Sequence, residues 1–153
     1  MAEHARVHFQ DELRALEVQA LGALDLVVNT LDRTLEALEH QDIELASIVV
    51  QDDDRIDGRY LEVHQGILSL LALQAPVASD LRTVAALLHV IKHAERMGDQ
   101  CVNIAKVMPL VGHDPPADEQ LLERIGDNAV DIGEQVAFVV TGLFREFSDA
   151  SHA

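Results

Sequence analysis

Phe9, Leu13, Leu16, Ala20, Ala23, Val27, Leu31, Thr34 and Leu38 follow one another at steps of three and four. A seam of that period, held for about four heptads, marks one long amphipathic helix. The rest of the chain must then supply elements that can cover such a stripe. "HQD" (40–42) interrupts the pattern, and Asp42 can cap a second helix opened by Leu45 and Ala46. That helix is predicted to run to about Gln74, where "QAPVASD" stops it because the residue before Pro76 disfavours the helical region. A third helix begins at Pro76 or Ser79, carries Val84, Leu87, Leu88, Ile91, Ala94 and Ile104, and ends near Met108–Pro109. "GHDPPADEQ" (112–120) is the clearest break. A fourth helix over roughly 117–147 places Leu121, Ile125, Ile132, Val136, Val139 and Leu143 on one face, and the tail "SDASHA" reads as loose. No strand pattern competes. Four helices of about 30 residues with short connections predict an all-α, antiparallel four-helix bundle.

The composition suits that architecture and narrows the partners. Apolar residues are 48% of 153, enough for one domain with a core, while aromatics are 3% and Trp is absent, so aliphatic side chains must fill it. The net charge of −16 argues against nucleic-acid or anionic-membrane binding and favours cations or a basic protein surface. Cys101 is the only cysteine, which excludes an internal disulfide and agrees with a cytoplasmic setting. The N-terminus has no apolar signal core, and the run "GILSLLAL" (66–73) is shorter than the ~20 residues a bilayer needs. We therefore expect a cytoplasmic protein without membrane insertion.

The chemistry rests on where the acids fall. On helix two, Val49, Ile56, Tyr60, Val63, Ile67 and Leu71 define an apolar face; Asp53 lies near its middle, Asp57 one turn on, and His64 on the same side. On helix three, Val84, Leu88, Ile91, Gly98 and Val102 face inward; Glu95 falls among them, Asp99 at their edge, and Asn103 continues that line. On helix four, Glu123, Asp127 and Asp131 lie nearly opposite the apolar face. Acids four residues apart are ordinary on solvated helices, and helix four fits that reading. Asp53 and Glu95 do not, because an unpaired charge on a buried face costs several kcal/mol. Either Arg55, Arg82 or Arg96 pairs with them, or carboxylates from neighbouring helices share a cation. Gly98 and Gly126 bear on the choice, since glycine inside a helix is tolerated where something approaches the backbone.

Other chemistries have less support. His89 and His93 have i, i+4 spacing without H-E-x-x-H, and Cys101 has no adjacent base and reads as a core residue. No glycine-rich phosphate loop is present. The absence of Glu-x-x-His counts against a di-iron storage or enzyme bundle. A carboxylate-rich metal-binding or storage bundle, and a structural bundle without metal, stay open as alternatives.

"FQDELRAL" (9–16), "DIELASIVVQDDDRID" (42–57), "QAPVASDLR" (74–82), "ERMGDQCVNIAK" (95–106) and "ERIGDNAVDIGEQVAFVVTG" (123–142) together resemble the PhoU family of phosphate-signalling regulators. That resemblance implies tandem three-helix bundles bearing E/D-x-x-x-D pairs that bind multinuclear or divalent metal such as iron, zinc, manganese or magnesium. The matching positions are Asp53 with Asp57, Glu95 with Asp99, and Glu123 with Asp127. It implies a non-enzymatic negative regulator of phosphate uptake and phosphate-starvation signalling, a cytoplasmic adaptor between the phosphate ABC transporter and a sensor histidine kinase. By the same resemblance the chain divides into a three-helix unit over 1–110, a loop over 111–120, and a fourth helix over 121–148 like the last helix of a second repeat, packed with the first unit as one domain. The other two helices of that repeat have no counterpart, so a homodimer is expected to restore the lost surface.

Overall fold

The computed structural model describes residues 2–73, 76–111 and 119–143, and every regular element among them is helical. Helix α1 spans Ala2–His40, α2 Ile43–Gln51, α3 Asp53–Leu73, α4 Ala78–Val111 and α5 Glu119–Thr141. Since α2 and α3 are separated by Asp52 alone, they form one leg, and the architecture is the expected all-α bundle of four legs. The segment 112–118 and the tail from 144 onward, including any continuation of the fourth helix, lie outside the described residues.

The ends of the helices have local causes. At the α1–α2 corner Gln41 takes a positive φ of 52°, and the Asp42 carboxylate accepts the Leu45 N–H at 2.9 Å, as its N-cap reading requires. The third helix ends at Val111, two residues past Pro109 and near the expected Met108–Pro109. Helix α5 closes at Gly142, whose φ of +70° is the left-handed conformation that favours glycine and whose N–H donates to the Phe138 carbonyl at 2.8 Å.

Helix α4 is the central leg and packs on each of the other four elements. Ala94, Gly98, Cys101 and Ala105 run along it as a strip of small, buried residues, which allows close approach from more than one side. One core cluster joins Phe9, Leu13 and Leu16 of α1 to Val63, Ile67 and Leu70 of α3 and Val84 and Ile91 of α4. A second joins Val27, Ile56, Met97, Cys101, Ile104 and Ile125, so that α1, α3, α4 and α5 meet in it. The Thr34 hydroxyl is fully buried and satisfied within α1, donating to the Thr30 carbonyl at 2.7 Å.

Helix α5 departs from its predicted face. Ile125 is buried, but Val136 and Leu143 are more than half exposed, while Glu134 and Gln135 are buried. The helix is turned so that polar residues meet α4. Asp131, expected to point at solvent, lies 3.4 Å from His93 Nδ1 instead. No helix among the described residues is long and apolar enough to cross a membrane.

Candidate metal centre

The site begins with a glycine. A Cβ on Gly98 would stand 2.8 Å from Ile56 Cδ1 and 3.1 Å from its Cγ2. Only a bare backbone in α4 lets α3 come this near. Ile56 lies between Asp53 and Asp57 in the chain, and Gly98 lies between Glu95 and Asp99. The contact therefore brings two i, i+4 acid pairs face to face. Asp53, Asp57 and Asp99 each offer a carboxylate oxygen, and these oxygens all lie within 4.8 Å of one another. Asp53 and Glu95 are half-buried, while Asp57 is exposed.

Electrostatics mark the group as an uncompensated anion. Burial pushes the Asp53 carboxyl above its ordinary range, and the nearby Asp57 and Asp99 raise it further. Glu95 is raised by burial, then by Asp99 and Asp57. Asp99 is raised by burial and by Asp57. Lys106 opposes the shift at Asp53 and at Asp99, and Lys92 and Arg96 oppose it at Glu95, without reversing any of the three.

Among the described residues no arginine forms an ion pair with these acids, although the Arg96 charge acts on Glu95. Arg55 lies 3.6 Å from Asp52, Arg96 makes no ion pair, and the Arg82 guanidinium lies beside Gly142 with its Nε buried and unpartnered. Among the described residues no ion pair involves Asp53, Asp57, Glu95 or Asp99. A divalent cation with oxygen ligands at ~2.0–2.6 Å can bridge donors spaced like these. The residues present therefore fit a metal, with an all-oxygen donor set that suits hard ions.

The second copy of E-R-x-G-D is different. Glu123 and Asp127 are exposed on α5, and nothing lies within 4 Å of the Cβ position of Gly126. Among the described residues these two acids join no group of three potential ligands. Where the first copy has a partner helix against its glycine, the second has none among the described residues. His93 is turned toward α5: Asn128 donates its Nδ2 to the Arg124 carbonyl, which leaves Oδ1 to meet His93 Nδ1 at 2.8 Å. His64 lies beside Tyr60, with ring centroids 5.7 Å apart. Cys101 is buried, its thiol pushed up to about 11 by burial, so it behaves as core.

Asp52 went unnoticed in the sequence. It lies between α2 and α3, beside the acids, and accepts from Arg33 Nη1 at 2.6 Å. That guanidinium first, and Arg55 after it, hold its carboxyl below the usual range despite partial burial. Its one visible signal is the run Asp52-Asp53-Asp54, in which three acids share too little helix surface to play the same part.

Fold and site together define a carboxylate-bearing helical bundle. Residues 21–108 match the model of the PhoU domain, and the chain belongs to the PhoU family. It is 34% identical over 105 residues to the phosphate-specific transport system accessory protein PhoU homolog of Aquifex aeolicus, covering 69% of this chain and 48% of that one. With the homolog of Streptococcus pneumoniae serotype 4 it shares 36% identity over 122 residues, 79% of this chain and 56% of the relative. The crystal structure of the phosphate transport system regulatory protein PhoU from Streptococcus pneumoniae superposes with a TM-score of 0.66 at 31% identity, over 86% of this chain and 61% of that one. The chain thus spans about half the length of the curated relatives it matches. The family resemblance carried by the sequence motifs is borne out.

Proposed function

We propose that this chain acts as a PhoU-type accessory regulator of phosphate uptake, a cytoplasmic, non-catalytic adaptor that binds a divalent or multinuclear metal. The observation that carries the metal reading is the group Asp53, Asp57 and Asp99, gathered within 4.8 Å and left without an ion pair. Asp53, Asp57 and Asp99 would hold the ion, with Glu95 beside them. The ion would supply the positive charge that this seam between α3 and α4 lacks. Glu123 and Asp127 would serve only with ligands from elsewhere. Magnesium and manganese suit an all-carboxylate set best, with iron and zinc as further candidates.

The regulatory reading is supported by relatives named as accessory proteins of the phosphate-specific transport system. By that relation the partners are the phosphate ABC transporter and a sensor histidine kinase, and the action is negative, restraining uptake and starvation signalling when phosphate is plentiful. Exposed Leu21, Val136 and Val140 beside the α1–α4–α5 groove favour a homodimer. Deleting the gene should raise phosphate uptake in phosphate-replete cells, and the tagged protein should pull transporter subunits down from wild-type cells. Unchanged uptake together with no transporter or kinase in the pull-down overturns the regulatory reading. Sedimentation as a monomer across micromolar concentrations overturns the dimer.

A further inference from the structure

Sequence periodicity predicts an unbroken helix from 42 to 74, yet the chain interrupts it for a single residue. Asp52 keeps its own N–H on the Ile48 carbonyl at 3.0 Å, but its ψ of −3° is about 40° from the α-helical value. Its carbonyl accepts the Arg55 N–H at 3.1 Å, three residues on instead of four. The chain tightens there, then resumes as α3 with Asp53. The direction in which Asp53 leaves the backbone is set by this one junction.

The junction is fixed from outside its own leg. Arg33 of α1 holds the Asp52 carboxylate at 2.6 Å through Nη1, and the same guanidinium is anchored by Nε to the Asn29 carbonyl at 3.3 Å. Both partners are only partly exposed, at 32% and 24% of their side chains. A charge-assisted bond of this kind between residues 19 apart is a cross-link between legs rather than a local helix pair.

We propose that Arg33 and Asp52 are positioning residues for the cation site, holding the break that aims Asp53 at Asp57 and Asp99. This rests on the metal-binding reading of that cluster. Groups outside a ligand set that orient its members typically alter metal affinity ~10–100-fold when removed. Arg33 separates positioning from plain electrostatics, because the two predict opposite signs. Deleting a positive charge near an anionic site should tighten cation binding if only the field matters. It should weaken binding if Arg33 holds the geometry.

The test is calorimetric titration of the metal-stripped full chain with Mn²⁺, with melting curves taken in chelator. We expect Arg33→Gln and Asp52→Asn each to weaken Mn²⁺ binding ~10-fold or more. Arg33→Lys, which keeps a cation for Asp52, should bind close to wild type. Arg59→Gln, which removes an exposed pair with Glu62 on α3, serves as the control and should leave affinity unchanged. Tighter or unchanged binding by Arg33→Gln, in a chain that melts cooperatively well above the assay temperature, overturns the proposal while the metal reading stands. Equal weakening by Arg59→Gln also overturns it. A wild-type chain that takes up no Mn²⁺ removes the metal reading and this inference together. Should Arg33→Gln fail to fold, Asp52→Asn titrated in ~1 M KCl decides, because salt screens the lost charge but not the lost cross-link: wild-type affinity there overturns the proposal, and a ~10-fold loss with retention in Arg33→Lys sustains it.

Discussion

Gly98 of α4 receives the side chain of Ile56 of α3 so closely that a methyl group on the glycine would meet it at 2.8 Å. Gly126 holds the same place in the second E-R-x-G-D segment and meets nothing within 4 Å among the described residues. Alanine should therefore act in opposite directions at the two sites. Gly98→Ala is expected to cost about 1–3 kcal/mol through overpacking, against the helix propensity it gains. Gly126→Ala should stabilise by ~0.5–1 kcal/mol because only the propensity term acts. Chemical denaturation of the two variants checks this, and matching signs would contradict the assigned packing.

The gathered acids give the metal-free protein a characteristic pH response. The ordinary values are 3.8 for Asp53 and Asp99 and 4.5 for Glu95, and all three are raised in the fold. A raised carboxyl binds more protons folded than unfolded, so its contribution to stability falls as pH rises from the ordinary value through the folded one. Asp53→Asn with Asp99→Asn should remove part of that loss. The gap in stability between this variant and wild type should then widen in the variant's favour from about pH 4 upward, then level off. Asp52 works the other way. Its lowered carboxyl stabilises above 3.8, and that contribution disappears as pH falls through the depressed value. A flat difference between variant and wild type across the acid range would contradict the mutual repulsion among the acids.

Metal should turn the gathered acids from a burden into a source of stability. With Mn²⁺ at about 100 times its dissociation constant, wild type gains ~2.7 kcal/mol. Chelator should return the melting temperature to the metal-free value. Asp53→Ala with Glu95→Ala should abolish most of the gain, whereas Glu123→Ala with Asp127→Ala should keep it, because those acids join no group of ligands among the described residues. Undiminished affinity in the first pair would show that other acids hold the ion.

The α1–α2 corner depends on one side chain. Helix α2 has 9 residues, too few to persist without its ends secured, and Asp42 supplies the N-cap. Asp42→Ala should cost ~1 kcal/mol in denaturant titration, and Asp42→Ser should recover most of it. Equal stability of all three chains would mean that the cap contributes nothing.

The legs were legible because the apolar period of α1 and the Pro76 break are local signals. So was the inward tilt of Asp53 and Glu95, which a helical wheel resolves. The break at Asp52 was not, because a charge from Arg33 on another leg fixes it and periodicity carries no record of that. The turn of α5 was missed for a related reason. Its apolar face suggested Val136 and Leu143 as core, but α4 offers His93, which meets Asn128 and Asp131 instead. Composition likewise left open whether arginines neutralise the acids. Only the placement of Arg55 on Asp52 removes that residue from the candidates.

The strip Ala94, Gly98, Cys101 and Ala105 has an evolutionary consequence. Each residue is buried, and α4 is packed by all its neighbours, so a bulkier side chain there has nowhere to go. On α1, by contrast, Val7 and Val18 stand more than half exposed. A drifting gene would accept changes along that outer rim and lose variants along the strip. A saturation library scored for soluble expression should register α4 as the slowest-changing part of the chain.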